Sequence, residues 1–158
     1  MTQKRIKLTN QITADLPSVN ADINQLWRVF STLIGNVLKH NPDEIQLTLA
    51  AQVVKPGQKV VKVREWGNKK FVSVKLLVPP QAPMLLCTVQ DSGAGIAPEQ
   101  SQRLFKLYTR GAQAQYMPGL GLGLYLCQQI IQAHRGEIGV TSTLNEGSTF
   151  WFTLPLRT

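Results

Sequence analysis

The chain has 158 residues, 43% hydrophobic and 16% charged, with a formal net charge of +8. That suffices for one domain with a real core and is too apolar for a disordered segment. The charge directs attention to acidic partners, membrane surfaces and nucleic acid, while no apolar run approaches the ~18 residues of a membrane span and no signal peptide opens the sequence.

Residues 1–9 read as a short strand, followed by a loop punctuated by Pro17. Asp22 offers a helix N-cap, and Gln25 three positions on completes a capping-box pattern. Leu26, Val29, Phe30, Leu33, Ile34, Val37 and Leu38 then recur at spacings of three and four, the signature of an amphipathic helix that Pro42 ends. "IQLTLAAQV" alternates as a half-buried strand does. Two further strand patterns flank Gly67-Asn68, a turn signal, and predict a hairpin. "MLLCTVQ" is an apolar run of strand length. A helix is expected from Pro98, since proline suits the first helical position. Residues 110–119 lack periodicity and read as a mobile loop; a helix over about 122–134 and two strands around "LNEG" complete the chain. This order lacks regular βαβ alternation and implies an α/β sandwich, a mixed and mostly antiparallel sheet covered on one face by about three helices.

Cys87 and Cys127 lie in apolar stretches and are expected to be buried, reduced thiols, which suits a cytoplasmic setting. The positive excess is local. Residues 55–75 hold seven lysines and arginines against the single acid Glu65. Such a hairpin either guards a sheet edge with lysines or is a docking surface for an acidic partner or for nucleic acid, with Trp66 as its natural anchor.

Three groups of residues can carry chemistry. Thr32, Asn36, Lys39 and His40 fall on one arc of the first helix, where an amide oxygen suits Mg²⁺ and an ammonium suits phosphate, unless the arc is only a solvated face. "DSGAGI" follows a strand directly, so Asp91 can accept a hydrogen bond from an exocyclic amine while its glycines let backbone approach a ligand, or the segment is an ordinary turn. "GLGLGL", residues 119–124, reads as a hinge, a dinucleotide turn or the lid of an ATP site. The dinucleotide fingerprint fails because the preceding residues are a polar loop and the glycines are two apart; a Walker A loop fails for want of G-K-[ST]. A glycine-rich loop at a helix N-terminus remains, offering free N–H groups to an anion.

In order, "LIGNVLKHNP", "DSGAGI", "RLFKLYTRG" and "GLGLGLYLCQQIIQAHRGEIGVTS…EGSTFWFTLP" resemble the N, G1, F and G2 boxes of the ATP-binding catalytic domain of sensor histidine kinases, which has the Bergerat fold of the GHKL superfamily. The resemblance covers nearly the whole chain and implies a single domain over residues 1–158 with a basic β-hairpin insertion at about 55–80. It implies ATP and Mg²⁺ as cofactors, with Asn36 on the metal, Lys39 on phosphate and His40 beside the adenine. Asp91 then recognises the adenine amine in the turn made by Gly93, Gly95 and Ile96, Phe105 is the F-box phenylalanine, and Arg110 borders the lid. Gly119, Leu120, Gly121, Leu122 and Gly123 form the lid and its closing amides, and Thr149 lies near the pocket. Asn36, Lys39 and Arg110 are the expected catalytic residues.

Two departures stand out. Four residues before Asn36 the kinases usually carry another Asn and the superfamily's ATPases a water-activating Glu, where this chain has Thr32, which implies one metal-side contact fewer; and Leu120 stands where Thr or Ser is frequent. The family's phosphoacceptor histidine sits on a separate helical domain, and neither His40 nor His134 lies in such a motif. The implied function is therefore transfer of the γ-phosphoryl of ATP to a histidine outside this chain, for onward transfer to a response regulator. The alternative is a degenerate nucleotide-binding module without kinase activity. A monomer is expected, with no nucleic acid partner.

Overall fold

The computed structural model describes residues 5–40, 44–64, 71–93, 95–96, 121–143 and 146–157. In chain order these form β1 (Arg5–Asn10), α1 (Ile23–His40), β2 (Glu44–Val54), β3 (Val60–Arg64), β4 (Phe71–Lys75), β5 (Met84–Asp91), α2 (Gly121–Ala133), β6 (Ile138–Thr143) and β7 (Gly147–Pro155). The helix expected from Pro98 lies outside the described residues.

Asp22 caps α1 as its sequence predicts. Its carboxylate accepts the N–H groups of Asn24 (2.9 Å) and Gln25 (3.1 Å), two donors that the first helical turn leaves without internal partners. The reciprocal half of the capping box is not made: the Asp22 N–H donates instead to Nε2 of His134, 3.1 Å away. His134 Nδ1 faces the Ile130 carbonyl at 2.8 Å. An Nε2 that accepts and an Nδ1 that donates define a neutral imidazole, which ties the end of α2 to the start of α1. Arg135 follows at φ 63°, the left-handed conformation that ends a helix, and Gly136 N–H closes back on the Ile131 carbonyl.

Five strands pair in the order β1-β2-β5-β7-β6, with β1 and β2 parallel and every other pair antiparallel. Period-two geometry assigns alternate residues to opposite faces. On one face Ile45, Leu47, Leu85, Cys87, Val89, Phe150, Phe152 and Leu154 pack beneath Val29, Leu33 and Val37 of α1 and Leu124, Cys127 and Ile131 of α2. Phe30 meets Phe152 edge-on, with ring centroids 5.1 Å apart. Helices thus cover one face, as the element order predicts.

The other face is closed by the hairpin. β3 and β4 form a separate two-stranded sheet, and Val61, Val63, Val74 and Leu76 pack onto Val54, Leu86 and Trp151. Trp151 lies so close over β6 that a Cβ at Gly139 would stand 2.5 Å from its ring. The hairpin predicted around Gly67-Asn68 therefore forms, but it layers on the sheet and does not extend its edge; the turn itself lies outside the described residues. With both faces covered, β7 is buried from Gly147 to Leu154, which is why its sequence does not alternate.

Candidate functional site

α1 and α2 run antiparallel: Asp22 meets His134 at one end, Cys127 Sγ faces the Val29 carbonyl midway, and Thr32 packs on Gly123 further on. The end of α1, the start of α2, the start of β2, the end of β5 and the start of β7 consequently gather at one end of the molecule. Leu47 pairs with Asp91, and Asp91 with Ser148. The segments resembling the N and G1 boxes, and the first turn of the G2 helix, converge there.

Asp91 continues the helix-side row of β5 after Leu85, Cys87 and Val89 and is only 9% exposed. Its Oδ1 accepts the Gly93 N–H at 2.8 Å, and the Ser148 backbone N–H is also aimed at the carboxylate. Burial raises its pKa above the ordinary carboxylate value, and these two hydrogen bonds oppose that rise. The turn after it is pinned on both sides. Ser92 N–H donates to the Gln46 carbonyl and its hydroxyl accepts from Gln46 N–H, while the Ile96 N–H donates to the Ser142 hydroxyl at 2.6 Å. Gly95 takes φ 75°, a left-handed conformation that favours glycine.

Two residues of this site escape a reading of the sequence alone. Gly147 has φ 109°, and a Cβ there would stand 2.1 Å from the Asp91 carbonyl oxygen, so the start of β7 can approach the turn only as glycine. Ser148 faces the Asp91 side of the sheet, its hydroxyl 2.9 Å from that of Ser142. Thr149, the residue expected near the pocket, belongs to the opposite row with Trp151 and Thr153 and is buried at 4% exposure under the hairpin side. That expectation is corrected: the β7 hydroxyl beside Asp91 is that of Ser148.

Asn36 is 6% exposed, and its amide Nδ2 has no hydrogen-bond partner among the described residues. A buried amide left unpaired costs about 1–3 kcal/mol, so Nδ2 calls for a partner beyond the described residues or for a ligand. One turn earlier, Thr32 is committed elsewhere. Its Cγ2 would lie 2.9 Å from a Cβ on Gly123, and its hydroxyl bonds the Cys127 thiol. Gly123 is therefore a contact glycine between helices, and Gly121 and Leu122 already belong to the first turn of α2. Lys39 and His40 end α1. Phe105, Arg110, Gly119 and Leu120 lie outside the described residues. Cys87 and Cys127 are buried free thiols with pKa values pushed up by burial to about 12 and about 11, so both are protonated and inert near neutrality.

The family described as histidine kinase-, DNA gyrase B- and HSP90-like ATPase matches residues 21–158. The chain belongs to that family. It is 33% identical over 98% of its length to the adaptive-response sensory kinase SasA of Gloeothece citriformis, spanning 33% of that protein. It is also 33% identical over 89% of its length to the phytochrome-like protein Cph1 of Synechocystis, of which it spans 15%. The chain thus corresponds to a third or less of these relatives. Among solved structures, full-length ShkA in complex with AMPPNP superposes with a TM-score of 0.66 over 97% of this chain and 26% of that one, at 24% identity. The mycobacterial sensor histidine kinase MprB superposes with a TM-score of 0.65 at 22% identity, over 96% of this chain and 84% of that one. The fold is that of a histidine kinase catalytic domain, an ATP-binding module of the GHKL superfamily.

Proposed function

We propose that this chain is the Mg-ATP-binding catalytic domain of a two-component sensor histidine kinase, delivering the γ-phosphoryl of ATP to a histidine on a separate helical domain, from which a response regulator receives it. The observation that carries this is the buried Asp91 carboxylate, held by backbone N–H groups at the end of β5, together with a buried Asn36 amide that has no partner among the described residues. Asp91 has lost water's hydrogen bonds to burial, and an adenine amine supplies a donor in their place, giving a charge-assisted bond. Ser148 and Ser142 flank Asp91 on the neighbouring strands, and Gly95 and Ile96 set the backbone of the turn.

The residues fit a magnesium nucleotide. Asn36 offers a hard amide oxygen, and Mg²⁺ is commonly held by one or two protein oxygens with the rest from phosphate and water. In this proposal nucleotide phosphates and water would supply the remaining ligands. When bound, the ion supplies charge neutralisation across the phosphates. Lys39, Arg110 and the amides following Gly119 to Gly123 are assigned the remaining phosphate contacts by position in the boxes, and His40 the place beside the adenine. Phosphoryl transfer needs positioning and electrostatics more than a strong base, because a neutral imidazole is already nucleophilic.

Thr32 favours transfer over hydrolysis. A hydroxyl bonded to Cys127, on a side chain wedged against Gly123, is not placed to activate water. His134 has both ring nitrogens engaged by backbone groups, so the acceptor is sought outside this chain. No described helix is long and apolar enough to cross a membrane, and a cytoplasmic place of action is part of the proposal. Incubating the chain with γ-labelled ATP, magnesium and a separately expressed helical acceptor domain tests the reading. Acid-labile, alkali-stable label on the acceptor is expected. Nucleotide binding without any such label leaves the degenerate nucleotide-binding module as the function.

A further inference from the structure

The two faces of the β3–β4 sheet differ sharply. The inner face is buried on the main sheet. The outer face carries three cross-strand pairs, Val60 with Lys75, Lys62 with Ser73 and Arg64 with Phe71, all exposed. Phe71 is 62% exposed, and Leu77 and Val78, just beyond β4, are 84% and 72% exposed. Residues 55–75 contribute six of the chain's eight excess positive charges. No acid lies among residues 55–64 or 71–83 to neutralise them.

A face built only to discourage edge pairing needs charge and gains nothing from large apolar side chains held in water. Here an exposed aromatic and aliphatic residues sit among the cations, the composition of a recognition surface. The face is also rigidly presented. Leu77 N–H donates to the Glu137 carboxylate at 2.6 Å, and Gln90 Nε2 donates to the Arg64 carbonyl at 3.4 Å, so the hairpin is tied to the main sheet at two points. Little backbone ordering is left to oppose binding.

We propose that the outer face of β3–β4 docks an acidic protein surface with an apolar centre. Lys62, Arg64 and Lys75 steer and register that partner, and Phe71, Leu77 and Val78 supply the area that leaves water. The aliphatic residues decide against single-stranded nucleic acid, whose bases are held by aromatic planes and whose phosphates favour bidentate arginine; the face has Phe71 as its described aromatic and Arg64 as its described arginine. This surface belongs to the hairpin side of the sheet and does not depend on the nucleotide assignment.

The test is fluorescence anisotropy of the full chain at low salt with two labelled probes. One is a peptide with aspartates and glutamates flanking a Leu-Phe centre; the other is an oligo-dT of equal charge. Peptide binding is expected to weaken by about tenfold in the charge reversal Lys62→Glu/Arg64→Glu/Lys75→Glu, since opposed charges repel. It should also weaken by about threefold or more in Phe71→Ser/Leu77→Ser, which removes apolar area without changing charge. Affinity for an ATP analogue should be unchanged in both. A wild-type chain that ignores the peptide, peptide binding indifferent to either set of substitutions, or tighter binding of the oligo-dT overturns the proposal, the last in favour of nucleic acid.

Discussion

On the helix side of the sheet β5 presents Leu85, Cys87, Val89 and then Asp91; on the hairpin side it presents Leu86, Thr88 and Gln90. The helix-side row is apolar until its last position, where a buried carboxylate appears, and α1, which packs on that side, carries an amide nitrogen with no partner among the described residues. The hairpin-side row mixes apolar and polar residues, yet its polar groups are engaged: Thr88 faces the Ala50 carbonyl and Gln90 bonds the Arg64 carbonyl. Buried polarity by itself therefore does not mark a site. Buried polarity without a partner among the described residues is the better marker, and it lies on the helix side.

The sharpest way to separate the two sides is to break one without the other. Trp151→Ala removes the ring that joins the hairpin to β6 and is expected to cost about 3–5 kcal/mol in urea unfolding. Because Trp151 points away from Asp91, the folded fraction should still bind nucleotide with wild-type affinity. Gly147→Ala acts from the other side: a Cβ at φ 109° and 2.1 Å from the Asp91 carbonyl forces the turn to move. About 1–3 kcal/mol of stability should be lost, together with a measurable fall in nucleotide affinity. Asp22→Ala, which removes the α1 cap remote from both features, should cost about 1 kcal/mol and leave nucleotide affinity alone.

Asp91 also makes the helix side sensitive to pH. Burial raises its pKa in the folded chain, so the folded state holds the proton to higher pH than the unfolded state. Stability is therefore full below the ordinary carboxylate pKa and is lost as pH rises from there through the raised folded value. Asp91→Asn has no proton to lose. Without nucleotide it should show a flatter profile of thermal midpoint as pH rises above about 4 and should be the more stable protein near neutrality. A midpoint lower than wild type at neutral pH would mean that the carboxylate stabilises the empty fold.

Local chemistry was the most legible part of the sequence. The Asp22 cap, the stripe from Val29 to Val37 and the alternation of Ile45 and Leu47 each depend on neighbours a few residues away, and each appears as expected. The position of the hairpin was not legible, because valines alternating with lysines describe a half-buried strand without saying what buries it. The same ambiguity hid Ser148. "STFWFTLP" is apolar on both faces because β7 is covered on both, so no alternation indicates which hydroxyl shares a side with Asp91. Gly147 and Gly123 were equally opaque: each is required by a close approach from a distant segment, Asp91 in one case and Thr32 in the other. The motif order carried the placement of Asn36 and Asp91, and the structure adds that both are buried and that the Asn36 Nδ2 has no partner among the described residues.

Calorimetric titration of the wild-type chain and Asp91→Asn with magnesium and a non-hydrolysable ATP analogue tests the central claim most directly. Replacing the accepting oxygen and its charge should weaken binding by about 10- to 100-fold, the worth of a charge-assisted hydrogen bond, in a protein whose circular dichroism is unchanged. Equal affinity of the two proteins would show that the nucleotide is not read by Asp91 and would contradict the assignment of the helix-side end as its site.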